Sequence, residues 1–318
     1  MKRILKKILI ILPDANVDWL MRKFLKVYEL IQIQKDIDEK RGDYALNFKS
    51  YLPETEKRIE HLRKTINKKP VVIILPGSSV KELEQRIEEL SNCDVCYASL
   101  NDFWAIEKHI LNKTNKHLSI VMCASSPSRG INEIIDFLER KEDNFVISSK
   151  KSFSFFPKYM PKDFNLNEFI QKYDKKLLFH VGVDTSLILT LWAGLFPRFP
   201  SKKNPLHFPA QNSLSILIFW AIIGQASKIV IFGGDGGRIS KKDLFFREQD
   251  NENRNFDEDW RLMVDTEVFN AVMPLILKKI YKTYNIKTVD IINCSEKSHY
   301  TPFRKLSYEQ TFALLKKS

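Results

Sequence analysis

The chain contains 318 residues, of which 44% are hydrophobic, with only 10 Gly and 13 Pro. This composition excludes a disordered or collagen-like protein, and the length allows one large α/β domain or two smaller domains. The formal net charge of +12 favours an anionic partner such as nucleic acid, a membrane surface or a phosphorylated substrate, although solubility alone also explains lysines spread along the chain.

Residues 1–70 predict a helical N-terminal extension. Apolar residues recur at spacings of three and four in WLMRKFLKVYELIQIQ and again in TEKRIEHLRKTI, as they do in amphipathic helices. No stretch approaches the ~20 apolar residues of a membrane span. The basic and apolar start, MKRILKKILIIL, suggests either a short interfacial helix on an anionic membrane or a first helix docked on the body of the protein.

Residues 71–318 predict an α/β domain. Strands are expected at VVIIL, CDVCYASL, LSIVMCAS and NFVISS, and amphipathic helices separate them. Short apolar runs that alternate with helices are typical of βαβ crossovers, so we expect a Rossmann-like, mostly parallel sheet with helices on both faces. Residues 151–210 interrupt the alternation with Phe, Pro and Lys, which predicts an irregular, lid-like insertion.

The alternation resumes after this insertion. NSLSILIFWAIIGQ predicts a nearly all-apolar helix, and KIVIFGGDGG predicts a strand that ends in glycines. A polar loop follows. A helix over TEVFNAVMPLILKKIYKTY, a strand at VDIINCS and a closing helix at SYEQTFALLKK then complete the predicted domain.

The turn after VVIIL is the first candidate binding site, because open α/β sheets bind ligands at the carboxyl ends of their strands. Gly77 can take a positive φ and allow a ligand to approach the backbone. Ser78 or Ser79 can cap the following helix, whose exposed N–H groups favour a phosphate. The interpretation as a structural strand–helix turn remains open.

Two further strand ends carry polar groups. Gly233 and Gly234 precede Asp235 at the end of KIVIF, where the carboxylate could bind a sugar hydroxyl, a magnesium ion or a base. Asn101 follows CDVCYASL, and its amide can read a nucleotide base through a paired donor and acceptor.

These motifs together resemble two related groups of proteins. VVIILPGSSVKELE, ASLND, NSLSILIFWAIIGQASKIVIFGGD and IINCSEKSHYTPFRKLSYEQ are similar in order to segments of the bacterial sialyltransferases that use CMP-sialic acid. They are also similar to segments of the motility accessory factors and archaeal-type 6-hydroxymethylpterin diphosphokinases. The resemblance covers residues 71–315 apart from 140–205. It implies that Gly77, Ser78 and Ser79 face nucleotide phosphates, Asn101 the nucleotide and Asp235 the ligand.

The sialyltransferases carry a catalytic His between their G-x-D strand and the next helix, whereas residues 238–265 contain no His. We therefore select His299, which follows the last predicted strand among polar neighbours, because an imidazole suits deprotonation of a sugar hydroxyl. His180 and His207 flank the irregular segment and are weaker candidates. Arg304 could neutralise a phosphate.

We therefore expect a transferase that passes a nucleotide-activated sugar, with a CMP-sugar favoured, to a cell-surface or flagellar glycan or to a lipid-linked acceptor. This chemistry requires no cofactor. The alternatives are a diphosphokinase of the 6-hydroxymethylpterin type, which needs Mg²⁺, and a non-enzymatic basic protein that contacts membranes through its N-terminus. Nucleic acid is not an expected partner, because no recognition helix or aromatic-and-basic strand motif is present. The cysteines suggest structural thiols in a reducing, cytoplasmic compartment.

Overall fold

The computed structural model describes residues 52–101, 103–123, 131–149, 164–182, 207–208, 212–236 and 259–317. Within these ranges the strands are β1 (Val71–Ile74), β2 (Cys96–Leu100), β3 (Ile120–Cys123), β4 (Phe145–Ser149), β5 (Leu177–Gly182), β6 (His207–Phe208), β7 (Lys228–Phe232), β8 (Asp290–Asn293) and β9 (Arg304–Lys305). They form one sheet in the order β6-β5-β4-β3-β2-β1-β7-β8-β9, and every neighbouring pair is parallel. The predicted α/β class with a parallel sheet is confirmed.

The helices within the same ranges are α1 (Leu52–Ile66), α2 (Val80–Gln85), α3 (Ile87–Ser91), α4 (Phe103–His109), α5 (Ile131–Arg140), α6 (Leu166–Lys172), α7 (Ser213–Ile223), α8 (Asp259–Tyr284) and α9 (Tyr308–Lys316). Short 3₁₀ turns occur at Leu111–Thr114 and Asp174–Lys176. In the part of the chain that the structure describes, no helix combines the length and the apolar character needed to cross a bilayer.

The sheet is buried on both faces, which explains the unbroken apolar runs of its strands. All four residues of β1 are buried. Val71 and Ile73 belong to one core cluster, and Val72 and Ile74 belong to the other. The apolar sides of α1, α7 and α8 cover the first face, and those of α2 to α6 and α9 cover the second. The prediction of helices on both faces is confirmed.

The described part of the predicted N-terminal extension is an integral element of this core. Ile59, Leu62 and Ile66 of α1 are at most 3% exposed, and Gly224 at the end of α7 allows Ile66 to approach closely. Arg58 Nε donates to the backbone carbonyl of Asp174 at 3.0 Å, which fixes α1 beside β5. We therefore group α1 with the sheet rather than with residues 1–51, which lie outside the described residues.

Two local predictions need correction. The single helix expected over VKELEQRIEEL breaks at Arg86, whose φ of −117° lies outside the helical region. The Arg86 side chain pairs with Glu89 at 2.7 Å and lies over the ring of Phe312. The segment 151–210 is not irregular throughout, because it contributes α6, β5 and β6 to the domain. The apolar run LLFHVG was hidden by its Phe- and Pro-rich surroundings. Residues 151–163, 183–206 and 209–210 of that segment lie outside the described ranges.

Candidate functional site

The carboxyl ends of β1 and β7 meet at the switch point of the sheet. From β1 the sheet extends through β2 to β6 on one side, and β7 pairs with β1 on the other side. The helices that follow these two strands, α2 and α8, pack on opposite faces. A crevice opens between such diverging connections. The turns after β1 and β7, which the sequence analysis selected, therefore border one crevice.

The two turns are hydrogen-bonded to each other. Leu75 N–H donates to the Phe232 carbonyl at 2.9 Å, and Gly77 N–H donates to the Gly233 carbonyl at 3.2 Å. A Cβ atom on Gly77 would overlap the Gly233 carbonyl oxygen and would lie 2.6 Å from Asp235 Oδ2. The positive φ expected at Gly77 occurs instead at Gly233, where φ is +69°. Close packing of the two turns therefore requires glycine at position 77.

Four protein donors surround the carboxylate of Asp235. Its Oδ2 atom accepts from Ser79 N–H at 3.1 Å and from Ser78 Oγ at 3.2 Å. Its Oδ1 atom accepts from Ser295 Oγ at 2.6 Å and also from Ser79 Oγ. A carboxylate offers about four acceptor positions, so the protein itself satisfies Asp235. The side chain ties the turn after β1 to the loop after β8.

Asp235 also takes the place of the anion that was expected at the start of α2. Ser79 is the N-cap residue, but its side chain makes no capping hydrogen bond. The Asp235 carboxylate lies at the positive end of this six-residue helix instead, where negative charge is favourable. Among the N–H groups of residues 77–79, only that of Ser78 lacks a hydrogen-bond acceptor within the described residues.

The loop after β8 is fixed to the turn after β7 by buried side chains. Asn293 Nδ2 donates to the Gly234 carbonyl at 2.9 Å, and Ser298 Oγ donates to the same carbonyl at 2.6 Å. Asn293 Oδ1 accepts from Ser295 N–H at 3.1 Å. Since the three side chains are at most 6% exposed, water does not compete for these bonds.

The loop after β8 places His299 at the cleft, and hydrogen bonds hold the backbone of this residue in position. The His299 N–H donates to the Asp235 carbonyl at 2.7 Å, and the His299 carbonyl accepts from Asn270 Nδ2 at 2.7 Å. The imidazole belongs to an exposed residue that lines the cleft, and it has no hydrogen-bond or ion-pair partner among the described residues. Because β7 and β8 are neighbours, His299 and Asp235 lie together at one edge of the sheet.

The cleft itself has a volume of about 720 Å³, within the ~300–1,000 Å³ typical of small-molecule sites. The sequence-predicted residues that line it are Gly77, Ser78, Ser79, Asn101, Gly233, Gly234, Asp235 and His299. Arg304 does not line it: this residue lies in the edge strand β9, and its guanidinium donates to Asp290 Oδ2 at 2.6 Å. His180 and His207 lie in β5 and β6, and their side chains fall outside the described part of the structure.

The start of α7 forms a wall of the cleft that the sequence analysis missed. Asn212, Ser213 and Leu214 line the cleft, and Asn212 caps α7 by accepting the Ser215 N–H at 3.0 Å. The N–H groups of Ser213 and Leu214 have no acceptor in the described ranges, as is usual for the first N–H groups of a helix. An Asn directly before an apolar helical run is an N-cap signature, so the sequence did contain the signal.

The charges along the cleft are mixed. Lys81 and Lys297 line it and have no ion-pair partner among the described side chains. The carboxylates that line it are Glu82, Asp235, Glu296 and Glu309. Asp235 is satisfied by serine donors, and Glu309 is paired with Arg86. Among the described residues, the unpaired cations that line the cleft are therefore these two lysines, and Arg304 does not line it.

Two buried groups beside the cleft stay protonated at neutral pH. Burial raises the pKa of the Cys294 thiol to about 12, and Sγ lies 3.2 Å from Thr311 Oγ1. Burial, and then the proximity of Cys294, raises the pKa of Tyr308 well above its ordinary value. The Tyr308 hydroxyl donates to the Ser79 carbonyl at 2.9 Å. Tyr308 therefore anchors α9 to the turn after β1.

Within the described ranges, no group of three or more His, Cys, Asp and Glu side chains is arranged to hold a metal ion. No protein-family model, no curated protein and no solved structure matches the chain. The function must therefore be inferred from the chemistry of the cleft.

Proposed function

We propose that the protein is a cytoplasmic transferase that binds a nucleotide-activated sugar, with a CMP-sugar favoured, in the switch-point cleft. The acceptor is a hydroxyl group of a cell-surface, flagellar or lipid-linked glycan. The observation that carries this proposal is the geometry of His299. This residue lines the cleft, its backbone is hydrogen-bonded on both sides, and its imidazole has no partner in the described residues.

A general base has to be held in place and must also keep a free lone pair. The two 2.7 Å backbone hydrogen bonds of His299 supply the first condition, because they restrict where the imidazole can reach. A donor to the unprotonated nitrogen would occupy the lone pair that has to accept the acceptor's proton, and no described side chain donates to it. Such a base typically contributes ~10²- to 10⁴-fold to the rate.

The donor phosphate is best placed at the start of α7 rather than at the turn after β1. The carboxylate of Asp235 already receives the Ser79 N–H and would repel a phosphate there. The N–H groups of Ser213 and Leu214 are unpaired in the described residues and lie at the positive end of an 11-residue helix, where an anion is favourable. Lys81 and Lys297 also line the cleft.

In the proposed reaction, the acceptor oxygen attacks the anomeric carbon of the sugar, and the bond from this carbon to the phosphate oxygen breaks. The nucleotide leaves with the electron pair of the broken bond, and the acceptor's proton passes to the imidazole of His299. Helix N–H groups and lysines stabilise the negative charge that develops on the departing phosphate.

The first experiment measures binding of CMP, UDP and ATP by calorimetry, and nucleotide release from CMP-N-acetylneuraminate and UDP-N-acetylglucosamine. We expect His299→Gln to lower kcat by ~10²- to 10⁴-fold while the nucleotide Kd changes by less than about threefold. His109→Gln is the matched control, because His109 ends α4 and does not line the cleft. Failure of the wild-type protein to bind any of the nucleotides would refute the proposal. Turnover that occurs with ATP only when Mg²⁺ is present would assign a diphosphokinase instead.

A second variant tests the phosphate position. Ser213 is the first residue of α7, a position where proline is well tolerated; the substitution removes the N–H group together with the serine hydroxyl. Asn212 before it is extended, with φ −153° and ψ 174°, as a residue that precedes proline must be. Ser213→Pro should therefore weaken nucleotide binding without lowering the unfolding free energy. Unchanged nucleotide affinity in this variant would place the phosphate elsewhere.

A further inference from the structure

We infer that Asp235 is a positioning residue: it couples the turn after β1 to the loop that carries His299, and it does not contact the ligand. This inference rests on the proposed function for its catalytic consequence. The coupling itself can be measured on the free protein.

The first observation is that Asp235, in the turn after β7, forms hydrogen bonds with residues that follow both adjacent strands, β1 and β8. Its side chain holds Ser78 and Ser79 after β1 and Ser295 after β8, and its carbonyl receives the His299 N–H. Ser79 and Ser295 are separated from Asp235 by 156 and 60 residues respectively. One residue thus connects three strand ends that are distant in sequence.

The second observation is that the carboxylate has no acceptor position left for a ligand. Two donors bind each oxygen atom, and hydrogen bonds to an ionised carboxylate are of the strong, charge-assisted kind. A sugar hydroxyl or a metal ion would have to displace these donors. This replaces the expectation that Asp235 binds the donor or a metal.

The link to His299 follows from the backbone. Without the carboxylate, the hydroxyl of Ser295, which is 1% exposed, and the N–H of Ser79 lose their shared acceptor. The Gly233 and Gly234 carbonyls keep their bonds to Gly77, Asn293 and Ser298. Position 235 loses its side-chain bonds on both sides, which loosens the backbone carbonyl that fixes the His299 N–H. Unpaired buried groups are costly, so the loops shift until water reaches them.

Hydrogen exchange of the free protein tests the coupling without any ligand. In Asp235→Ala we expect roughly 10- to 100-fold faster exchange in peptides that cover 76–82 and 294–301, from the loss of charge-assisted bonds. Ser295→Ala should accelerate exchange only in 294–301, because the Asp235–Ser79 bonds remain. Peptides from β2 and β3 should exchange at the wild-type rate in both variants. Unchanged exchange at both loops in Asp235→Ala would overturn the inference.

Asp235→Asn separates positioning from ligand binding. Asn keeps the shape and one acceptor oxygen, and serine hydroxyls can rotate to accept from its NH₂ group. We therefore expect Asn to retain most of the protection at both loops and, with CMP-N-acetylneuraminate, a kcat within about tenfold of wild type. Asp235→Ala should lower kcat by ~10²-fold or more with the KM little changed. If Asn were as defective as Ala, the carboxylate charge would be acting on a ligand or metal and the inference would be wrong. If the wild-type protein turns over no donor, the proposed function fails, while the exchange data still decide the coupling.

Discussion

Replacement of Gly77 by Ala should destabilise the fold, and the magnitude can be worked from the contacts of this residue. The new Cβ would overlap the Gly233 carbonyl oxygen and lie 2.6 Å from Asp235 Oδ2. Neither contact can be relieved by a rotamer change of the alanine. The turn has to move, and overpacking of this kind costs about 1–3 kcal/mol. The movement also weakens the bonds between Asp235 and Ser79, worth about 1–2 kcal/mol more for a charged acceptor.

We therefore expect Gly77→Ala to lower the unfolding free energy by about 2–5 kcal/mol. Urea unfolding followed by tryptophan fluorescence and circular dichroism measures this quantity, because Trp220 is fully buried. Gly224→Ala is the control: its Cβ would meet the end of the Ile66 side chain and lie 3.1 Å from the Trp220 carbonyl. A side-chain terminus can turn away, so this variant should cost only about 1 kcal/mol.

The alternative, that glycine at 77 only leaves space for a ligand, makes the opposite prediction. Gly77→Ala would then unfold within about 0.5 kcal/mol of the wild-type protein, as surface changes usually do, and would lose nucleotide affinity. That result would refute the packing explanation.

Three further predictions concern the described core. Burial and neighbouring lysines lower the pKa of His61 in the folded protein. The unfolded state therefore binds more protons, and the unfolding free energy falls as the pH drops from about 6.5 through the folded-state pKa. His61→Phe should lose less unfolding free energy between pH 7 and pH 5 than the wild type. Arg140 Nη1 lies 2.6 Å from the 6%-exposed carboxylate of Glu107, so Arg140→Ala should cost about 1–3 kcal/mol. Lys113→Ala, at a more exposed pair, should cost less than about 1 kcal/mol in the same unfolding assay. Cys294, with its raised pKa of about 12, should react with iodoacetamide at pH 8 only after denaturation; labelling at Cys294 itself in the native protein would contradict its burial.

The sequence predicted the sheet well because a parallel strand buried on both faces has an unmistakable pattern. VVII and IVMC are apolar throughout, and KIVIF is apolar after its first residue; all three form neighbouring or near-neighbouring strands of one sheet. The prediction failed where the surrounding sequence concealed a strand and where a helix was interrupted. LLFHVG forms β5, but Phe- and Pro-rich sequence surrounds it. Arg86, where the helix breaks, is paired with Glu309, which is 223 residues away.

The sequence predicted where the site lies, but it did not predict which residues are hydrogen-bonded to each other there. Strand ends can be read from a sequence, so His299, Asp235 and the turn at 77–79 were expected at one edge of the sheet and do lie there. The pairing of Asp235 with Ser79 and Ser295 depends on strand order, since β7 has to lie between β1 and β8. No local pattern encodes that order. Arg304 was misplaced for the same reason: its pairing with Asp290 follows from the position of β9 beside β8.

The hydrogen bonds between Asp235 and the turn that contains Ser78 and Ser79 change the interpretation of the PGSS and GGD motifs. The residues of PGSS and GGD satisfy each other: the carboxylate of Asp235 accepts from Ser78 and Ser79, and Gly77 and Gly233 let the two turns touch. A carboxylate between two glycine turns at a switch point is thus explained by the packing of a parallel sheet, whatever the protein binds. These motifs therefore indicate how the sheet packs more strongly than which reaction the protein carries out. The groups that can distinguish one chemistry from another are those that the fold leaves unsatisfied, which in the described cleft include the imidazole of His299 and the first N–H groups of α7. A test of function should begin with these groups, because a substitution at Asp235 or Gly77 changes the fold and the site together.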